Sequence, residues 1–305
     1  MGTSPLFILR PSSQPNLETV WPNPCGSLPH FLNPLLHIPC PVTSSSIPPG
    51  TPSVTAAALP PMAELWQQTL GWCPSLAQQA LFQQLYQAVL EGNQRLNLTR
   101  ITEPQEFWEK HIWDSLSGVQ PWLATALERQ ESALEAAPLS LLDIGTGAGF
   151  PGVPVAIALP HSPITLLDST RKKIAFLEDL STRLGLVNVR AIAHRAETLG
   201  HHPQHRAAYD RVLLRAVAPV SVCAEYALPF LKQGGIAVLY RGQWSAEEET
   251  TLRASAPQLG GELKAVLPFQ TPLSQSVRHC IQIQKVAPTA AKFPRAPGLP
   301  RQRPL

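Results

Sequence analysis

From residue 139 to 284 the chain alternates short apolar runs with helix-like stretches, and this alternation limits its fold more than any other feature. The apolar runs occupy 139–144, 164–168, 188–193, 210–216, 235–240, 262–267 and 278–284; the helical patterns occupy 152–159, 171–184, 219–231 and 245–255. Strand followed by helix, repeated, predicts an α/β fold with a doubly wound, mostly parallel sheet. The last two runs have no helical stretch between them. A right-handed parallel crossover needs one, so one of these two strands is expected to run antiparallel. Ahead of the sheet, 62–137 forms an N-terminal helical region. Leu76, Ala80, Leu81, Leu85 and Val89 make one stripe behind a Ser75 cap, and Thr102-Glu103-Pro104-Gln105 resembles a capping box for a second helix through Leu116. Glu91-Gly92-Asn93 reads as the turn between them.

Both ends of the chain differ from this body. Of 33 prolines, 14 fall within residues 1–61, which carry only two charged side chains, Arg10 and Glu18. No periodicity survives that proline density, so 1–61 is expected to be disordered. It lacks the basic start and continuous apolar run of a secretory signal. Met62, the only methionine after Met1, stands where the periodic pattern begins and is read as the native start. At the other end, residues 285–305 hold Lys285, Lys292, Arg295, Arg301 and Arg303 and no acid. The formal charge of the whole chain is +3, so the body is nearly neutral and only the tail, 288–305, is distinctly basic. Its prolines predict an extended strip, which suits a strap over the fold and a contact to phosphates equally. Five scattered cysteines with no C-x-x-C pair argue against a disulfide framework or zinc site and fit a reducing, cytoplasmic setting. No run approaches the roughly 20 apolar residues that a membrane-crossing helix requires.

The first strand ends in Leu141-Leu142-Asp143-Ile144 and enters Gly145-Thr146-Gly147-Ala148-Gly149-Phe150-Pro151-Gly152-Val153-Pro154. A strand running into a glycine-rich turn and a helix lets a nucleotide-like ligand approach the backbone. Two registers compete. Gly147, Gly149 and Gly152 fit the G-x-G-x-x-G dinucleotide pattern, with Asp168 21 residues after Gly147; Asp143 with Gly145, Gly147 and Gly149 gives the D-x-G-x-G-x-G of S-adenosylmethionine enzymes. Pro151 and Pro154 remove backbone N–H groups that a pyrophosphate would need, and this favours the phosphate-free sulfonium ligand. Asp168 is placed for two ribose hydroxyls, and Asp143 lies beneath the loop as an acceptor for its N–H groups or for an ammonium. The cluster His194-Arg195-Ala196-Glu197 after the third strand can reach the adenine side. Arg215 interrupts an apolar run at the carboxyl edge of the fourth strand, where it needs a ligand or an acid such as Asp143 or Glu197 as partner. His111 and Asp114 read as a hydrogen-bonded pair, too few for a metal.

Leu141 to Pro154, Leu166-Leu167-Asp168-Ser169-Thr170-Arg171-Lys172-Lys173, Arg195-Ala196-Glu197 and Arg215-Ala216 together resemble the bacterial 16S ribosomal RNA guanine-N7 methyltransferases, the glucose-inhibited division protein B family. Leu96-Asn97-Leu98-Thr99, His111, Asp114, Ser115 and the tail from Lys292 to Leu305 extend the resemblance across about 62–305. It implies a Rossmann-like class I methyltransferase domain over 138–287. S-adenosylmethionine is expected to bind at Asp143, Gly145, Gly147, Gly149, Phe150, Asp168, Ser169, Thr170, Ala196, Glu197 and Arg215, with Arg215 also catalytic. The implied partner is 16S ribosomal RNA in the small subunit or its assembly intermediate, methylated in the 530 loop, with no metal and no membrane. Lys172, Lys173, Arg295, Arg301 and Arg303 are the candidate RNA contacts. Guanine N7 has a free lone pair and loses no proton on methylation, so the absence of a paired-carboxylate or Ser-His-Asp set agrees with this chemistry. The rival readings are a dinucleotide-dependent oxidoreductase and a noncatalytic RNA-binding protein on the same fold.

Overall fold

Leucine- and valine-rich runs bordered by glycine and proline pair into a seven-stranded sheet in the computed structural model, which describes residues 58–123 and 138–305. The expectations of disorder over 1–57 and of helix over 124–137 lie outside the described residues. Leu59, inside the stretch expected to be disordered, donates its backbone N–H to Gln83 Oε1 at 2.8 Å.

The strands are β1 Leu141–Ile144, β2 Ile164–Asp168, β3 Val189–Ala193, β4 Tyr209–Arg215, β5 Leu231–Arg241, β6 Gly261–Gln270 and β7 Val277–Lys285. Their order is β3-β2-β1-β4-β5-β7-β6. β1 to β5 run parallel, and β7 pairs antiparallel with both β5 and β6. The missing crossover helix between the last two strands therefore has the expected consequence. Strand order reverses between β1 and β4, so the crevice at their carboxyl ends is where an open α/β sheet binds ligands.

Side-chain alternation along the strands divides the core in two. Leu141, Leu166, Leu213 and Val238 face one cluster, which includes Trp66, Phe82, Leu85, Trp108 and Ile112 of the N-terminal helices. Leu142, Leu167, Val212, Leu214 and Leu239 face the other, against Val222, Tyr226 and Leu252. The helices are α1 Ala63–Leu70, α2 Leu76–Leu96, α3 Pro104–Phe107, a π-helical segment Trp108–Trp113, α4 Asp114–Ser117, α5 Gly152–Ala158, α6 Arg171–Arg183, α7 Ala196–Leu199, α8 Val220–Ala227, α9 Ala246–Ser255 and α10 Leu299–Gln302.

Three local expectations need correction. α2 continues through Glu91-Gly92-Asn93 to Leu96 rather than turning there. Gly92 serves packing, since a Cβ on it would lie 2.5 Å from the Phe176 ring. The second N-terminal helix is capped by the Glu103 side chain, which accepts from the Glu106 N–H at 2.8 Å, and not by Thr102. The tail is not wholly extended. Gly298, at φ 86°, turns it into the single helical turn of α10, and proline is tolerated in a first turn because its missing N–H would have no partner there. The tail also joins the core: Phe293 is buried in the second cluster, a burial worth about 1.5–3 kcal/mol.

Candidate functional site

The loop between β1 and α5 is built from glycines in conformations other residues avoid. Gly145, Gly147 and Gly149 have φ of 72°, 61° and 97°, in the left-handed region that costs a side-chain-bearing residue about 1–2 kcal/mol. Two acids hold this loop. Asp168 Oδ2 accepts the Gly147 N–H at 3.1 Å, and its Oδ1 accepts the Thr170 N–H at 2.8 Å. Asp143, fully buried, accepts the Gly152 N–H at 2.8 Å. A Cβ on Gly152 would strike Leu166 and crowd that carboxylate, so this glycine is required for packing.

Beside the loop lies a cleft of about 310 Å³. Its wall includes Gly145, Asp168, Ser169, His194, Ala196 and Glu197, together with Ala216, Val217, Tyr226 and Arg301. Asp168 at the end of β2 and the loop after β3 thus share one cavity, as their strand-end positions predict. Asp143 does not reach it. Burial pushes the Asp143 carboxyl up to about 6, and its place beneath the loop makes it a support for the backbone instead of a ligand contact. Glu197 is also committed within the protein. Its carboxylate receives Arg195 at 2.6 and 3.2 Å, the Tyr226 hydroxyl at 3.2 Å and the Gly298 N–H at 3.0 Å. Gly149 packs against Val153 and Leu177.

Arg215 has a different partner from those expected. Its Nη1 donates to Asp114 Oδ2 at 3.0 Å and to the Lys110 carbonyl at 2.8 Å, and its Nη2 to His111 Nδ1 at 3.2 Å. Neither Asp143 nor Glu197 hydrogen-bonds to it, although the Arg215 charge still acts on the Asp143 carboxyl through space. His111 and Asp114 therefore do not act as a pair with each other; both project from the π-helical segment and its continuation onto the same guanidinium. A guanidinium can only donate, so His111 Nδ1 accepts and Nε2 carries the proton toward Thr99 Oγ1, 2.7 Å away. Burial, aided by the Arg215 charge, lowers the His111 pKa to about 3, which keeps the ring neutral. The ring stacks on Phe150 at 4.4 Å, and Arg215 lies 5.6 Å from the centroid of the same phenyl ring. Phe150 is thus the platform under Arg215 and does not line the smaller cleft.

A second cleft, of about 560 Å³, opens beside Arg215. Asp114, Tyr240, Arg241, Glu248, Phe269 and Arg278 line it, and Arg215 with Ala216. Ala216 belongs to both cavities and holds φ 56°, an unfavourable conformation for alanine. Strain of this kind is retained where the surrounding structure fixes the backbone, commonly at working sites.

A family model described as "rRNA small subunit methyltransferase G" matches residues 78–278. The protein of that name from Nostoc punctiforme is 57% identical over 247 residues, 81% of this chain and 98% of the relative. That of Trichormus variabilis is 58% identical over 249 residues, with the same coverage, and that of Gloeobacter violaceus 53% over 241 residues, 79% of this chain and 91% of the relative. The chain belongs to the rRNA small subunit methyltransferase G family.

The span matched to the methyltransferase G family contains every lining residue of both clefts named above except Arg301. Of the candidate RNA contacts, Lys172 and Lys173 occupy the first turn of α6, just past Ser169. Arg295 is held within the protein. Its guanidinium and backbone N–H take four hydrogen bonds, at 2.6 to 3.0 Å, to the fully buried Glu225. Arg303 is exposed, and Arg301 donates to the Val217 carbonyl at 2.7 Å. Reading from sequence missed Arg241, Phe269 and Arg278. The signal for Arg241 was present, because it ends β5 as Arg215 ends β4, a charge closing an apolar run at the carboxyl edge. Among the described residues no group of three or more His, Cys, Asp or Glu could hold a metal, and no helix is long and apolar enough to cross a membrane.

Asp143 gives a test of the loop support. Its folded pKa is raised above the ordinary carboxyl value, so the folded state holds the proton more tightly than the unfolded chain. The resulting stabilisation is present at low pH and is lost as pH rises through about 6. Asp143→Asn removes this dependence while keeping an oxygen for the Gly152 N–H. Melting temperatures measured from pH 7.5 to 5.5 are expected to rise for the wild type relative to the variant. A constant difference across that range would contradict the raised value.

Proposed function

We propose that the chain transfers a methyl group from S-adenosylmethionine to N7 of a guanine in the 530-loop region of 16S ribosomal RNA, with the cofactor in the smaller cleft and the base in the larger one. The observation that carries this reading is that the two cavities share Ala216, next to Arg215, one bordered by the glycine loop and Asp168, the other by arginines and an aromatic ring. The residues present suit the cofactor. A Cβ on Gly147 would meet no protein atom closer than 3.9 Å, so the backbone there is open to a ligand. The Asp168 carboxylate lines the smaller cleft, within reach of ribose hydroxyls. When bound, S-adenosylmethionine supplies an electrophilic methyl on a sulfonium.

The chain's own residues then have to orient the base and exclude water. Phe269 offers a face on which a purine can stack, and Arg278, with the N–H groups that Arg241 keeps beyond its bonds to Glu248 and the Ala218 carbonyl, offers donors for its oxygen edge or phosphate. Arg215, fixed by Asp114, His111 and Phe150, holds the strand end next to Ala216, which the two cavities share. Attack by N7 requires no base. The neutral His111 agrees, since its Nδ1 is occupied by Arg215 and is unavailable for proton transfer. Catalysis accordingly rests on alignment, for which reacting atoms must approach to about 3–3.5 Å. Lys172, Lys173 and Arg303 are the groups we assign to RNA phosphates.

Calorimetry with S-adenosylhomocysteine and with NAD tests the cofactor half: the first is expected to bind and the second not. Small-subunit rRNA from cells lacking the activity, incubated with the protein and S-adenosylmethionine and mapped by mass, is expected to gain one methyl on a 530-loop guanine. Binding of NAD alone would return the oxidoreductase reading.

A further inference from the structure

The tail is fixed to the body on both sides of its last turn. Phe293 is buried, His201 Nε2 lies 2.6 Å from the Pro294 carbonyl, and Arg295 is clamped by the buried Glu225. Arg206 adds bonds to the carbonyls of Thr289, Ala290 and Phe293. Past this anchor the Gly298 N–H bonds to Glu197, whose carboxylate also receives Arg195 and Tyr226 from the wall of the smaller cleft. Pro300 is buried, and Leu305 packs on the second core cluster. Between these fixed points stands Arg301. It is exposed to solvent, it bonds to Val217 at the end of the β4 loop, and it lines the cleft together with Ala196, Glu197 and Tyr226.

Resting on the cofactor reading above, we propose that the tail is a structural wall of the cofactor cleft and that Arg301 holds the adenine ring of the bound cofactor. A basic strip engaged only with ribosomal RNA would have no reason to send its one cleft-facing guanidinium inward. Five N–H donors and a flat cation suit the ring nitrogens and π face of a purine. The guanidinium meets the Val217 carbonyl and the Tyr226 hydroxyl, and its remaining donors and flat face are left for the ligand. The position of Arg301 beside Tyr226 and the loop after β3 puts it on the side of the cleft read as the nucleobase end. Glu197 links the two parts. By accepting from Arg195, Tyr226 and Gly298 it fixes the distance between cleft wall and tail, so that Arg301 acts from a rigid support.

The test compares the full chain with Arg301→Ala and Arg301→Lys by calorimetry, using S-adenosylhomocysteine and, separately, adenosine, with melting temperatures measured alongside. Arg301→Ala is expected to weaken both ligands by about tenfold or more, as for loss of a charged hydrogen bond, with melting temperature nearly unchanged. Arg301→Lys should recover part of the affinity. S-adenosylhomocysteine should also slow hydrogen exchange across 296–303 in the wild type. Unchanged affinity in Arg301→Ala while the wild type binds would overturn this inference and leave the cofactor reading intact. So would a loss confined to S-adenosylhomocysteine with adenosine unaffected, which would put Arg301 at the methionyl end. A shallower salt dependence for ribosomal RNA with unchanged ligand affinity would return Arg301 to the phosphate role. Absence of binding by the wild type would remove the cofactor reading, and this inference with it.

Discussion

Arg215→Ala is expected to slow methyl transfer to small-subunit rRNA by about 10²-fold or more, the scale of a misplacement near 1 Å, while affinity for S-adenosylhomocysteine changes by less than about threefold. The asymmetry follows from where the guanidinium is held. It borders the larger cleft, rests over Phe150 and ties β4 to the π-helical segment through Asp114, His111 and the Lys110 carbonyl. Among the described residues, its removal leaves Asp114 with Arg278, 3.8 Å away, as its one remaining ion-pair partner, and His111 Nδ1 without its Arg215 donor. Both walls at the junction are then free to shift, whereas Asp168 and the glycine loop keep their own hydrogen bonds. A mostly buried carboxylate that loses its partner also destabilises the fold, by about 1–3 kcal/mol, so thermal melts are needed beside the kinetics. Arg215→Lys separates the two effects. It restores a charge for Asp114 and hence most of the stability, but a single ammonium cannot serve Asp114, Lys110 and His111 at once, and transfer should stay slow. Single-turnover methylation at saturating cofactor is the measurement. A variant that transfers at the wild-type rate would remove Arg215 from the working site.

Gly145→Val is expected to abolish detectable binding of S-adenosylhomocysteine. Gly145 holds φ 72° and lines the smaller cleft, and a Cβ there would come within 2.9 Å of Val217 Cγ2. Valine adds two methyl groups to that contact and resists positive φ more than most residues. The β1 and β4 loops must then separate, and they form two sides of the cleft. Asp168→Ala gives the graded counterpart, since it loses the acceptor for two backbone N–H groups as well as for ribose hydroxyls. Its expected cost is about 1–3 kcal/mol of binding, or roughly 10- to 100-fold. Equilibrium calorimetry with circular dichroism as a folding control distinguishes loss of the site from loss of the fold. Wild-type affinity in a folded Gly145→Val protein would place the cofactor elsewhere.

The strands, the glycine loop and the switch point between β1 and β4 were legible because each is written in local order: an apolar run, a turn that needs missing side chains, a helix. Asp168 was legible for the same reason, as an acid ending a strand on the binding edge. The partners of Arg215 were not. Sequence offered two candidate acids, Asp143 on the first strand and Glu197 after the third, yet burial of the first beneath Gly152 and the bonds already made by the second leave the guanidinium to Asp114, 101 residues earlier in the chain. That choice depends on how the N-terminal helices pack across the sheet, which no local pattern encodes.

Arg278 shows the same limit in the sheet itself. It lies near the start of β7, an unremarkable place by sequence, but β7 runs antiparallel, so its first residues lie beside the carboxyl end of β5, with Arg241 opposite His279. Strand direction alone brings Arg278 to the edge where Arg215 and Arg241 end their strands. The tail is the converse case. Its composition determined a proline-spaced basic strip and nothing about its target, because charge and backbone stiffness suit RNA and a protein surface alike. The tertiary structure made that choice by burying Glu225 against Arg295 and by setting Glu197 to receive Gly298. Local sequence specified the elements and the ligand loop; long-range packing specified which charges meet.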